Sequence, residues 1–433
     1  MFCSHMSRIL NKKRKDNTKE VRCMDTAQKY LLALTKSAMW KQDAPLPPEA
    51  LDWDSVLQEA AEGRIEALLY RHIQTLPAEL QPMQLEFYAQ SIEEQCKQKR
   101  KDYTMLQRIL DEAEDRNIQF VLFKGPIFAQ LYPEYTLRYS ADLDMLVAPE
   151  ELEAATELLE YFGYTREAHS SKCCVVCFRH KDGSVIELHT KLWEDVTARQ
   201  DRCFEQLQLD CEEAFVNQTA CGTEVTTLGV MEHLLFEYYH IVEQLLFQGT
   251  ELRHFVDVTY YVNKNINKLN IPLFWQHMEQ LHYKTFGEAF CQICVHYFGM
   301  DPEILQEERW EPQRVEALMS RFFEVGLLGS KRTATKVASG IVFHSYCEQH
   351  EKKPSRKKMW RVTLFPEVKD LSMRYNYARK HTWLLPVAWM HRACRYALYL
   401  LSRKRRQAVA EPMRQAQDKI AVLQELELLK KTR

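Results

Sequence analysis

Apolar residues recur every three to four positions over most of this chain, a spacing that predicts amphipathic helices. It runs through Thr26–Met39, Trp53–His72 and Met83–Asp115, with Pro45, Pro47 and Pro48 separating the first stretch from the second. Around Asn117 the period changes. Ile118–Phe123 is β-like and ends at Lys124-Gly125-Pro126, where a permissive glycine and a proline suited to a first helical turn predict strand, tight turn and a short helix over Ile127–Leu131. A second strand covers residues 142–147. A helix then opens with acidic residues at Pro149-Glu150-Glu151 and closes at Gly163. Cys173–Arg179 and Ser184–Leu192 flank Lys181-Asp182-Gly183, and an Asp-Gly pair between alternating runs predicts a hairpin. From about Thr226 to His350, and again from Leu364 onward, the helical spacing returns.

This pattern predicts an α+β fold that is predominantly helical, with one small mixed β-sheet flanked by N-terminal and C-terminal helical regions. The divisions fall at 1–25 (a flexible basic tail), 26–116 (helical), 117–225 (the sheet), 226–350 (helical) and 351–433 (linker and C-terminal helices). The polar, proline-containing stretch Gln349–Lys358 supplies the last boundary. Lys, Glu and Leu spacing near the end suits a protruding helix or a coiled-coil segment.

Composition narrows the function classes. With 58 basic and 60 acidic residues the net charge is -2, so nucleic acid is not indicated as a partner except through a local patch. The 13 cysteines are scattered, and no apolar core follows the basic residues of the tail, so reduced thiols and a cytoplasmic location are expected. Cys174/Cys177 and Cys291/Cys294 have C-x-x-C spacing; one pair lies in a strand and one in a helix, and both read as structural rather than as metal or redox sites. No run of 18 apolar residues occurs, so no spanning helix is expected. The apolar stretch leading into Arg403-Lys404-Arg405-Arg406 suits peripheral membrane contact through 383–406, or a packed helix whose basic end stays wet.

Chemistry concentrates in the sheet. In Asp142-Leu143-Asp144-Met145-Leu146-Val147 the two carboxylates alternate onto one face of a strand. Like charges so held repel, and a divalent cation relieves them; the same pattern also suits an edge strand with a solvated acidic face. The hairpin adds Glu187 and His189 on one face. Asp142, Asp144 and Glu187 are therefore the candidate catalytic and metal-binding set, for two Mg²⁺ ions or Mn²⁺. Lys124 and Arg138 on the flanking loops, with the Gly125 turn, are candidates for nucleotide phosphates. His189 is a group that backs the metal ligands, a substrate group or simply a satisfied histidine. In the helical middle His233 and His240 share a face without an adjacent His-Asp pair, which reads as helical core. Arg253 and Asp257, four apart, are kept with His189 as candidate acceptor-pocket residues.

These residues carry a family resemblance. Leu122-Phe123-Lys124-Gly125, Leu131-Tyr132-Pro133, Arg138, Asp142–Val147 and Val185-Ile186-Glu187-Leu188-His189 resemble the bacterial uncharacterised nucleotidyltransferase family, the NTP transferase type 5 domain of the polymerase-β-like superfamily. The likeness extends to Trp53, Leu252–Asp257, Leu364-Phe365-Pro366 and Arg374-Tyr375. It implies a nucleotidyltransferase palm in which Asp142 and Asp144 are the metal pair, Glu187 the third carboxylate and Gly125 the turn residue. The chain departs from the pattern at Pro126, where a serine or glycine is usual, and this removes one backbone donor. Glu187 stands where Asp is common.

Together these readings predict an Mg²⁺-dependent enzyme that moves a nucleoside monophosphate from an NTP, ATP first, to a hydroxyl of a small molecule, glycan or protein, with release of pyrophosphate. The alternative is a non-catalytic scaffold or binding protein that keeps the fold.

Overall fold

The computed structural model describes residues 23–167, 174–193, 204–209, 211, 214–247, 249–324, 377–378, 381–391 and 416–429. The N-terminal helices are α1 (Thr26–Met39), α2 (Trp53–Glu62), α3 (Glu66–Ile73) and the long α4 (Leu85–Asp115). Asp25 starts α1 with a capping box, its carboxylate accepting from Gln28 N while the Gln28 side chain accepts from Asp25 N. The predicted single helix over Trp53–His72 is instead two. It breaks at Gly63-Arg64, where Arg64 has φ +60° and a Cβ on Gly63 would lie 2.9 Å from Leu252 Cβ. The break is a tertiary requirement: Gly63 lets the start of a later helix approach, and its carbonyl accepts from Arg253 N at 2.9 Å.

The sheet has seven strands in the order β3-β4-β5-β2-β1-β7-β6. They are β1 (Val121–Phe123), β2 (Leu143–Leu146), β3 (Tyr164–Arg166), β4 (Val175–His180), β5 (Val185–His189), β6 (Phe215–Ala220) and β7 (Thr223–Leu228). β1 runs parallel to β7 and antiparallel to β2, and β2 runs parallel to β5, so the sheet is mixed as expected. The acidic strand is therefore interior, not an edge. Between the strands lie α5 (Gly125–Ala129) and α6 (Leu152–Tyr161). The β6–β7 hairpin corrects the expectation of helix from Thr226. Cys221 and Gly222 both have positive φ, +50° and +84°, the pattern of a two-residue type I′ turn.

After the sheet come α7 (Val230–Phe247), α8 (Leu252–Asn265), α9 (Ile271–Gln280), α10 (Lys284–Ile293) with a π turn over Cys294–Phe298, and α11 (Pro312–Glu324). Trp40 Nε1 donates to the Phe298 carbonyl and the Tyr260 hydroxyl to the Met39 carbonyl, both at 2.8 Å, so α1 is stitched to this helical layer. The apolar core is continuous from Met24 to Leu429. Cys291 and Cys294 are wholly buried within it as free thiols. A helix over 416–425 also joins the core, burying Val422 and Leu423, with Leu426 just after it. That part of the tail packs back on the body instead of protruding: its apolar residues belong to the common core, Thr285 on α10 donates to Glu427, and Arg321 on α11 pairs with Glu425. Most of 349–406 lies outside the described residues. Among the described residues no helix is long and apolar enough to cross a membrane.

Gly299 ends the π turn at φ +78°, and a Cβ there would lie 2.8 Å from Trp40 Nε1. Gly299→Ala combines left-handed strain with that clash and will cost more than about 1 kcal/mol. Urea unfolding checks this, and an unchanged midpoint would mean that the Trp40 edge gives way freely.

Candidate functional site

Register does most of the positioning. Asp144 on β2 is paired with Glu187 on β5, and Phe123 at the end of β1 is paired with Asp144, so three neighbouring strands meet at one level. In parallel strands, residues in register share a face, and His189 follows two positions after Glu187 on that same face. His189 Nε2 lies 3.1 Å from Asp144 Oδ1 and 3.8 Å from Glu187 Oε2. The ligand atoms of Asp144, Glu187 and His189 all fall within 4.8 Å of one another, the one such grouping among the described residues. Asp142, just before β2, is half-buried and stands outside that circle.

The two aspartates are tuned in opposite directions. Burial, the Asp144 charge and Glu187 push Asp142 up to about 6 against the pull of Lys124. For Asp144, burial alone would raise the carboxyl, but the Lys124 ammonium and the His189 hydrogen bond hold it well below the usual carboxylate range. Asp144 is thus the ionised anchor and Asp142 the strained neighbour.

Lys124 occupies the turn between β1 and α5. Its Nζ reaches Asp144 Oδ1 at 3.1 Å and lies over the rings of Phe123 and Phe236. Its backbone is at φ +57°, ψ −100°, close to the first central position of a type II′ turn, which ordinarily takes glycine. The strain is held by α7: Lys124 N donates to His233 Nε2 at 3.1 Å. His233 has to be neutral to accept that bond, and burial, with Arg138 and Lys124 nearby, pushes it down to about 3. One turn along α7, Glu237 is buried with Oε2 lacking a partner among the described residues, and burial pushes it up to about 7.

The remaining sequence candidates form a separate buried assembly. Arg138 Nε and Nη2 donate to the two oxygens of Asp257 at 2.9 and 2.8 Å, and Tyr132 donates to Oδ1 at 2.8 Å. Arg253 Nη1 adds a contact at 3.2 Å, while its Nη2 holds Glu251 at 3.0 Å. Arg138 is 2% exposed and Asp257 0%, so neither presents an open face to a ligand in this arrangement. Of the predicted residues, the structure brings together Lys124, Asp144, Glu187 and His189, keeps Asp142 and Gly125 beside them in sequence, and ties Arg138, Arg253 and Asp257 to one another.

A carboxylate pair converging with an imidazole beside a lysine ammonium is chemistry for a divalent cation and a polyanion. The family model of the uncharacterised nucleotidyltransferases matches residues 49–299, which span all of these groups. The chain belongs to this family. No curated protein matches this nucleotidyltransferase. Three solved structures show a partial similarity to the chain. The lincosamide antibiotic adenylyltransferase LnuA, with lincomycin bound, is 18% identical at TM-score 0.26 over 36% of this chain and 94% of that one. The antibiotic-resistance factor ANT(2'')-Ia is 13% identical at TM-score 0.30 over 46% and 97%. An antigenic nucleotidyltransferase-like protein from Paracoccidioides brasiliensis is 17% identical at TM-score 0.26 over 37% and 75%.

The alternation Glu187-Leu188-His189 put His189 on the carboxylate face, and the structure places its imidazole beside Asp144 and Glu187. Sequence reasoning did not find Glu237 or the backbone role of His233, because nothing local distinguishes them from other polar residues on a core helix. The C-x-x-C pair in β4 has one contact of note: Cys177 Sγ lies 3.6 Å from Glu187 Oε1, across a registered strand pair.

Proposed function

We propose that this nucleotidyltransferase uses Mg²⁺, with Mn²⁺ as a substitute, to move a nucleoside monophosphate from an NTP, ATP in the first instance, to a hydroxyl and to release pyrophosphate. The observation that supports it is the convergence of Asp144, Glu187 and His189 within 4.8 Å in a chain of this family. Near-neutral net charge favours a small molecule, a glycan precursor or a protein side chain as acceptor over a long nucleic acid. Against the scaffold alternative stands the cost of burying Asp144 beside a second carboxylate with no chemical purpose.

The donor set fits the ion. Two carboxylates offer the hard oxygens that Mg²⁺ prefers, and the imidazole widens the set towards Mn²⁺. Asp144 and Glu187 would hold it where they converge with His189, itself either a further donor or the group that orients Asp144, and Asp142, outside that convergence, would join them through a second ion. When bound, a divalent ion neutralises phosphate charge and aligns the attacking oxygen. The acceptor oxygen forms a bond to the α-phosphorus as the bond to the bridging oxygen breaks. The electron pair leaves with pyrophosphate, and Glu187 completes the site either by holding the ion or by accepting the hydroxyl proton. Lys124 serves the phosphates, and Gly125 lets the chain approach them. Arg138, Arg253 and Asp257 act as the frame behind this site.

Calorimetry with Mg²⁺ or Mn²⁺ and each NTP, followed by a pyrophosphate-release assay, tests the reading. Absence of heat with every nucleotide would return the chain to the scaffold alternative.

The Lys124–Asp144 contact makes a two-signed prediction. Without nucleotide the ammonium competes with a metal for Asp144, so Lys124→Met will bind Mn²⁺ more tightly than the parent. With nucleotide the same variant loses a phosphate contact, and its KM for NTP will rise about tenfold or more. Titrating each ligand separately checks both signs: an unchanged Mn²⁺ affinity would place Lys124 outside the metal's reach, and a fall would mean that it supports the site and does not compete for Asp144.

A further inference from the structure

The polar groups that α4 turns towards the sheet play no part in the chemistry above, yet they touch the entrances of both strands that carry it. Lys99 and Asp102, one turn apart on α4, are both buried and pair at 3.4 Å. Lys99 Nζ also donates to Ser140 Oγ at 3.3 Å, and that hydroxyl donates to the Asp142 carbonyl at 2.6 Å. The cation thus reaches the turn that opens β2. Asp102 reaches the other strand. Its Oδ1 accepts from Ser184 Oγ at 2.7 Å, immediately before β5, and from Gln98 Nε2 at 2.9 Å. Gln98 Nε2 also lies 3.0 Å from Ser184 Oγ. Ser184 Oγ has one proton to share between Asp102 and Asp182, which lies 2.8 Å away, while Ser184 N donates to Asp182 at 3.0 Å.

β2 and β5 are parallel neighbours with Asp144 and Glu187 in register, so whatever fixes their first residues fixes the separation of the two carboxylates. Backbone pairing sets the register, but β2 is only four residues long and its entry turn carries Asp142. Burying a lysine and an aspartate costs desolvation that a hydrophobic pair would avoid. Burial does lower the Lys99 pKa, and the Asp102 and Asp142 charges oppose that. What the charged pair offers in exchange is direction: a donor aimed at one strand entrance and an acceptor aimed at the other.

We propose that Lys99 and Asp102 form a buried clamp on α4 that sets the relative position of the entrances of β2 and β5, and so holds Asp142, Asp144 and Glu187 at the spacing a divalent cation needs. They are positioning residues and touch no substrate. The proposal rests on the metal-dependent reading of the site, and its effect is that of an outer layer of hydrogen bonds around a metal centre.

The test uses the full chain, with Mn²⁺ alone as the first probe and NTP-dependent pyrophosphate release as the second. Asp102→Asn and the double variant Lys99→Met/Asp102→Leu are expected to bind Mn²⁺ about 10–100-fold more weakly. Their kcat falls while KM for NTP stays within about twofold, and Lys99→Arg retains most of the parent's affinity. The double variant buries no unpaired charge, so it keeps the fold even where a single variant does not, and its melting midpoint monitors this. A folded double variant with the parent's Mn²⁺ affinity overturns the clamp. A parent that binds no Mn²⁺ overturns the metal reading itself, and the clamp with it.

Discussion

Asp144→Asn will remove metal-dependent NTP turnover, with kcat falling on the order of 10³-fold or more. The size follows from what the group supports. Charge neutralisation of a transferring phosphoryl group by a held cation is worth several kcal/mol, and each 1.36 kcal/mol is about tenfold in rate. Asp144 is the member of the cluster that both the Lys124 ammonium and the His189 imidazole reach, each at 3.1 Å, and it is in register with Glu187 on the neighbouring strand. The isosteric amide keeps the shape and removes the charge. Because the amide oxygen can still accept from Lys124 or His189, the variant should remain folded by circular dichroism while calorimetry with Mg²⁺ and ATP shows no binding. A folded Asp144→Asn enzyme that binds Mg-ATP as the parent does would sink the site assignment.

Two further single variants separate the sequence reading of the metal set from the geometric one. If the ion sits where Asp144, Glu187 and His189 meet, His189→Ala will weaken Mn²⁺ binding more than Asp142→Asn does. If the ion sits between the two aspartates, the order reverses. Either order is compatible with nucleotidyl transfer, so this comparison addresses the placement of the ion and leaves the reaction class to the Asp144 variant.

Much of the sheet was legible because its strands carry local signals. The Asp182-Gly183 hairpin and the apolar alternation of 142–147 are visible without knowledge of any neighbour, and the family likeness rests on these same residues. The β6–β7 hairpin was not legible. Val216, Asn217, Gln218 and Thr219 face outward or lie at the rim, so the strand lacks the apolar alternation that would announce it. Its turn residue, Cys221, is an unusual occupant of a positive-φ position. The helix break at Gly63 was hidden for a different reason, since the contact that demands it comes from Leu252 far along the chain. The same holds for the Arg138 pair. A lone arginine near an acidic strand reads as a phosphate ligand, and only the tertiary structure supplies the buried aspartate 119 positions later that occupies it.

That aspartate carries the largest expected effect on stability. Asp257 accepts from Tyr132, from both arms of Arg138 and from Arg253, and it is wholly buried. Burial works against the charge on Arg138 and on Arg253, and the carboxylates beside them hold both guanidinium pKa values above their ordinary range. Asp257→Ala therefore leaves a guanidinium in the interior without its counter-charge, a change that costs about 3–5 kcal/mol and moves the thermal midpoint of a chain this long down by about 3–6 °C. The effect should reach the site as well. Arg138 precedes Asp142 by one short turn, so losing its anchor loosens the segment that delivers the acidic pair, and Mn²⁺ affinity should fall with stability. Removing both charges in Arg138→Met/Asp257→Leu should recover part of the loss, and a double-mutant cycle measures how much. An Asp257→Ala protein that melts within a degree or two of the parent would mean that water or a rearranged Glu251 takes over the pairing, and the frame role assigned to this cluster would have to be abandoned.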